Sequence, residues 1–183
     1  QQACLVARAP EPVALPASDD ESGSDAAAEA VVTETCLITR DASGLAERLA
    51  KSLASDTLTV RLVDGTIPAI EAALDDLAAA GTVLRGLIHT LSLDHPRADQ
   101  IDVATLNEAQ NTGVRFARQL FTLISGRDWM KRPRVFFLTR GTLPVLPGES
   151  LPGLASAPLT GLLRVANNEQ PDFIWTQIDL DPA

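Results

Sequence analysis

The sequence predicts an α/β fold, with a mostly parallel sheet and helices on both faces. Three observations carry this. From Thr35 onward, strand-length apolar runs alternate with segments of helical period, in the order β-α-β-α-β-α-β-α-β. RVFFLT (Arg134–Thr139) is almost continuously apolar, as a strand buried on both faces of a parallel sheet must be. Start and stop residues also fall at the right places, with Thr66 and Asp102 before helical runs and Gly81 and Gly126 after them.

The elements follow in order. CLIT (Cys36–Thr39) is the first strand, and Leu45, Leu49 and Leu53 recur at helical spacing within a helix from about Ala42 to Ala54. TLTVRLV (Thr57–Val63) is rich in β-branched residues and reads as a strand. Thr66 caps the next helix, Pro68 sits in its first turn, and Ile70, Leu74, Leu77 and Ala78 share its apolar face. VLRGLIHTLSL (Val83–Leu93) is a third strand. Asp102 opens a long helix with Leu106, Ala109, Gly113, Ala117, Leu120, Phe121 and Ile124 on one face. After RVFFLT comes a loop rich in Pro and Gly. A helix from about Ser156 to Asn168 and the strand FIWTQIDL (Phe173–Leu180) complete the order.

Upstream, residues 1–8 include ACLVAR (Ala3–Arg8), which could form a short strand. Residues 9–33 hold six acids, no base and several Pro, Ser and Ala. Such a segment buries too little apolar surface to offset its ordering entropy, so it reads as a solvated acidic linker. Residues 34–183 are then the folded domain.

Composition narrows function. The net charge of −9 argues against nucleic acid as a partner, because phosphate binding needs a basic face. No apolar run reaches the length of a membrane span and no signal peptide opens the chain, so no membrane partner and a cytoplasmic location are expected. Cys4 and Cys36 have neither metal-ligand nor redox spacing. Free thiols fit a reducing cytosol, with a bridge between the two left open.

The turn TRDASGLAERLA (Thr39–Ala50) is where a Rossmann-like fold places its glycine-rich phosphate loop. Here Gly44 stands alone, and Asp41 puts a carboxylate where a phosphate would lie. The expectation is that Asp41 or Ser43 caps the helix and that no cofactor-binding residue is present. Short-chain reductases protonate the developing alkoxide with a tyrosine tuned by a lysine; this chain has no tyrosine, and its lysines are Lys51 and Lys131. His89 and His95 lack a second ligand at metal spacing and read as structural. Asp75 and Asp76 read as a solvated helix face. Asn107 and Asn111 read as exposed, Ser125 lies in no nucleophile elbow, and Trp129 and Trp175 read as packing residues. No catalytic, cofactor-binding or metal residue is therefore assigned.

The last third is more specific. VFFLTRGTLPV (Val135–Val145) and SAPLTGLLRVANNEQPDFIWTQIDLDP (Ser156–Pro182) resemble the ketoreductase region of polyketide synthases, in the structural half that precedes the catalytic half. The matching residues are Thr139 and Gly141, Ala157 and Pro158, Gly161 and Leu162, Arg164, Glu169 and Pro171, then Asp179 and Leu180. GLIHTLSLD (Gly86–Asp94) and the helix after it stand in the expected order. Many modular synthases have Trp-Gly-Leu-Gly-Arg where this chain has Thr160, Gly161, Leu162, Leu163 and Arg164.

The resemblance, over roughly Thr35 to Pro182, implies a truncated, degenerate Rossmann-like, short-chain-reductase-like fold that is not itself an enzyme. It implies support of an adjacent catalytic half that reduces the β-keto group of a carrier-bound acyl chain with NADPH. Implied partners are that half, a neighbouring dehydratase, an enoylreductase inserted after the domain, and the acyl carrier protein. Docking on the catalytic half would use Val114 and Phe121 on the long helix and Leu159 and Leu163 on the last, unless these face the chain's own sheet. The competing class is an independent nucleotide- or acyl-group-binding module using the same crevice. NADPH titration separates the two.

Overall fold

A computed structural model describes residues 34–144 and 147–181. The expected strand at 1–8, the linker at 9–33 and Cys4 lie outside the described residues.

Five strands form one sheet in the order β2-β1-β3-β4-β5, and every pairing is parallel. They are β1 (Glu34–Thr39), β2 (Leu58–Val63), β3 (Val83–His89), β4 (Arg134–Arg140) and β5 (Ile174–Leu180). The crossovers are α1 (Leu45–Leu53), α2 (Ile67–Ala79), α3 (Val103–Gln110) running on into α4 (Phe116–Ser125), and α5 (Ala157–Glu169). The chain reverses direction across the sheet after β2. A right-handed crossover therefore puts α1 on one face and the other helices on the opposite one.

The main core lies on that opposite face. Leu37, Leu87, Val135, Phe137 and Trp175 point from the strands toward Ile70 and Leu74 of α2, Leu120, Phe121 and Ile124 of α4, and Leu159 and Leu163 of α5. Phe137 is fully buried and meets Phe121 edge-on, with ring centroids 5.9 Å apart. The α1 face has a smaller cluster of Cys36, Ile38 and Ala46, packed against Leu49, Leu58, Val60 and Leu62.

Several boundaries shift from expectation. α1 begins at Leu45 rather than Ala42, because residues 41–44 form the turn that caps it. β3 ends at His89, and Leu91–Asp94 is a short 3₁₀ turn rather than strand. On α2, Ala73 joins Ile70, Leu74 and Leu77 on the inward face, and Ala78 faces solvent. The long helix carries the largest correction. It passes through a π-helical turn, Asn111–Arg115, between α3 and α4. The wider turn shifts the phase of the inward face, leaving Leu106 38% exposed and burying Phe116. The caps hold as expected. Thr66 Oγ1 accepts from the Ala69 N–H, and Asp102 forms a reciprocal capping box with Thr105.

Candidate functional site

In a parallel sheet the ligand crevice lies beyond the carboxyl ends of the strands, where the chain order reverses. Here that point lies between β1 and β3. Two features fill it. The first is a stitch between strand ends: the Thr90 N–H donates to Thr39 Oγ1 at 2.8 Å, the Thr90 hydroxyl donates to the Thr39 carbonyl, and both residues are fully buried.

The second is the β1–α1 turn. Gly44 adopts φ +74°, a left-handed conformation that favours glycine, and so lets residues 41–44 fold back under the helix. This brings the Asp41 carboxylate beneath the start of α1. It accepts from the N–H groups of Ser43 (3.1 Å), Leu45 (3.2 Å) and Ala46 (2.7 Å), and from the Ser43 hydroxyl. Asp41 is thus the cap that the sequence led us to expect, although Gly44 holds the formal N-cap position. Burial pushes its carboxyl upward, but the Ser43 hydroxyl and the N–H groups of Ala46, Leu45 and Ser43 outweigh it and hold the group below its usual value.

A second carboxylate completes the turn. Both oxygens of Asp94 accept from the Ala42 N–H at 3.0 Å. Burial raises the Asp94 carboxyl above its usual value; the Ala42 N–H opposes this and the charge on Asp41 adds to it. Sequence reasoning missed Asp94. It sits 52 residues from Ala42, and only the approach of the β3 end to the turn joins them. In sum, the N–H groups of Ala42, Ser43, Leu45 and Ala46 are all taken by carboxylates of the chain itself. A pyrophosphate offered to this turn would find its donors in use and two negative charges beside it.

The two histidines lie behind the crevice in a polar chain built around the π-helical turn. His89 is fully buried; its Nε2–H donates to the Thr112 carbonyl at 3.1 Å. His95 hydrogen-bonds through Nε2 with Thr112 Oγ1 at 3.0 Å and through Nδ1 with Ser156 Oγ at 2.7 Å. Thr112 Oγ1 in turn donates to the Glu108 carbonyl, and Ser156 Oγ to the Ser92 carbonyl. Burial brings both imidazoles down to about 4, so they are neutral at pH 7. The ring of His95 lies against Gly113, where a Cβ would meet its Cε1 at 2.9 Å. Both histidines therefore hold the π-helical turn against β3 and α5.

Other singled-out residues also have structural partners. Asp75 pairs with Arg127 and Asp76 with Arg61, on the exposed side of α2. Asn107 and Asn111 are exposed. The Ser125 hydroxyl donates to the Phe121 carbonyl within its own helix. Trp175 is core and Trp129 is half-buried, its Nε1–H donating to the Ile124 carbonyl. Lys51 is exposed in the last turn of α1, and Lys131 pairs with Glu34 at the start of β1. Cys36 is free and buried, with its thiol pushed up to about 11 by that burial. Among the described residues no three His, Cys, Asp or Glu side chains converge as a metal site needs, and no helix is long and apolar enough to cross a membrane.

The residues of the last third have a clear local role. Asp179 on β5 accepts from the Thr139 hydroxyl (2.7 Å) and from the N–H groups of Thr142 and Leu143 (both 2.9 Å). Gly141, at φ +58°, donates its N–H to the Leu180 carbonyl. The Thr-x-Gly and Asp-Leu motifs are the two halves of one lock, which fastens the loop after β4 to the end of β5. Pro158, Gly161, Arg164, Glu169 and Pro171 are exposed.

Fold and crevice together define a Rossmann-type domain of the short-chain-dehydrogenase shape. A small-chain dehydrogenase superposes with a TM-score of 0.60 at 15% identity, over 80% of this chain and 78% of that one. A small-chain dehydrogenase in complex with NADPH gives 0.55 at 14% identity, over 76% of this chain and 66% of that one. A carbonyl reductase from Pseudomonas aeruginosa PAO1 in complex with NADP gives 0.54 at 16% identity, over 82% of each chain. At such identities the likeness is one of fold. No curated protein matches the chain in sequence. Residues 98–183 match the family model of the Rossmann fold domain of polyketide synthase extender module SpnB. That stretch runs from α3 through the Thr139–Asp179 lock to the end of β5. The chain thus has a Rossmann-like fold, and over residues 98–183 it is similar to that polyketide synthase domain.

Proposed function

We propose that this chain is the non-catalytic structural half of a polyketide synthase ketoreductase region, and that it supports an adjacent catalytic half in reducing the β-keto group of a carrier-bound acyl chain. The observation that carries the reading is the turn after β1, whose N–H donors are saturated by Asp41 and Asp94. The residues present do not fit a dinucleotide, so NADPH belongs to the catalytic half and no step is assigned to this chain. The absence of tyrosine agrees, since the usual proton donor for the alkoxide is missing. The match to an extender-module domain supports neighbours from the same multienzyme, which we take to be the catalytic half, a dehydratase, an enoylreductase and the acyl carrier protein. We place residues 34–183 in this domain, with 9–33 as the tether to what precedes it, in the cytoplasm. The test is calorimetric titration of the isolated chain with NADPH. The reading expects no saturable heat, whereas micromolar binding would favour an independent nucleotide-binding module.

A further inference from the structure

The two faces of the sheet are unequally covered. α2, α4 and α5 cover one face across its width. On the other, α1 covers β2 and β1 and then stops. Over β3, β4 and β5 lies an open apolar groove of about 500 Å³. Ile88, Phe136, Leu138 and Ile178 form its floor, and Leu49 and Leu53 of α1 form its wall. Ile178 is 41% exposed and Leu53 38%. An all-parallel sheet ordinarily has both faces covered, and among the described residues nothing covers this part of it.

The Val114, Phe121, Leu159 and Leu163 surface expected from the sequence is not available for docking. Phe121, Leu159 and Leu163 are buried against the chain's own sheet, and Val114 packs half-buried on the same core.

The shape and charge of the groove select its occupant. Three strands at about 4.8 Å spacing span roughly 10 Å, the diameter of one helix with its side chains. The groove runs beside α1, so a helix laid there would complete the layer. Arg134 lines the groove at the end where the strands begin, with no carboxylate within ion-pair distance among the described residues, and Arg85 stands beside it. We propose that this groove receives one amphipathic helix of the catalytic half, with its apolar stripe on Phe136 and Ile178 and a carboxylate against Arg134. The inference rests on the scaffold reading above and adds the surface and the chemistry of the partner.

The experiment is co-expression of the chain with its catalytic half, read by co-elution and by thermal midpoint. Ile178→Glu is the main variant, since its partial exposure leaves the fold of the chain alone intact. Arg134→Glu tests the charge, and Val165→Glu, at a 48% exposed position on α5, is the control. Wild type and Val165→Glu should co-elute with the catalytic half and melt higher than alone. Ile178→Glu should bind at least tenfold more weakly, and Arg134→Glu severalfold more weakly.

Equal co-elution of wild type and Ile178→Glu would overturn the groove while leaving the scaffold reading standing. Failure of the wild type to co-elute would overturn both. A wild-type homodimer broken by Ile178→Glu would give the groove to a second copy. Saturable binding of decanoyl-pantetheine that Ile178→Glu abolishes would give it to an acyl chain. Either of the last two results would overturn the helix.

Discussion

Replacing Asp41 with alanine tests the turn after β1 directly. The substitution removes one carboxylate and leaves three backbone N–H groups, those of Ser43, Leu45 and Ala46, together with the Ser43 hydroxyl, without their acceptor. Loss of a helix cap costs about 0.5–2 kcal/mol, and hydrogen bonds to a charged group are worth about 1.5–3 kcal/mol each when shielded. This turn is partly open to water, which can take over some of the donors. A loss of about 2 kcal/mol is therefore expected. In a domain of this size that is a fall of roughly 4–8 °C in thermal midpoint.

The pH dependence follows from the lowered carboxyl value of Asp41. A group whose folded value lies below its unfolded value adds stability above the unfolded value and loses it as pH falls through the folded one. The gap between wild type and Asp41→Ala should be constant above about pH 4 and shrink below it. Differential scanning calorimetry of both proteins from pH 7 to pH 3 is the assay. An unchanged midpoint at pH 7 would refute the capping role and with it the reason for calling the turn filled.

Asp94→Ala should cost less, about 1 kcal/mol or below, because the lost Ala42 contact is offset by relief of the charge on Asp41; the double variant, melted alongside both singles, should be non-additive. His89 and His95 stay neutral in the fold down to about pH 4, so below pH 6.5 the unfolded chain binds more protons and stability is lost as pH drops from 6.5 toward 4, with a slope of up to about 2.7 kcal/mol per pH unit for the two, which urea midpoints at pH 7, 6 and 5 would read. Asp179→Ala should lower stability by about 2–3 kcal/mol in denaturant melts and speed amide exchange at Thr142 and Leu143, the two donors it leaves unpaired. Phe137→Ala should cost about 3–5 kcal/mol in the same melts, since a fully buried ring between His89 and Phe121 leaves a cavity.

The sequence carried the fold well because its signals are local. Thr66 and Asp102 stand at helix starts as side-chain acceptors, and RVFFLT shows its double burial in a single run. The π-helical turn was not legible. Its cause is tertiary, in the demand of His89 and His95 for the Thr112 carbonyl and hydroxyl, and it moved Leu106 outward and Phe116 inward. The turn after β1 was half legible: Asp41 is adjacent to it in sequence, whereas Asp94 reaches it only through the pairing of β1 with β3. Val114, Phe121, Leu159 and Leu163, expected as docking residues unless they face the chain's own sheet, do face it, for a physical reason. Apolar spacing on a helix tells that a face must be covered, but not whether the chain's own sheet or another body covers it. The open groove on β3, β4 and β5 went unseen because those strands read as apolar whichever of their faces is covered.

The crevice of this dehydrogenase-shaped domain is filled by its own carboxylates and hydroxyls. Isothermal titration of the isolated chain with NADPH at pH 7 tests it most directly. No saturable heat is expected up to millimolar cofactor. A dissociation constant in the low micromolar range would contradict it.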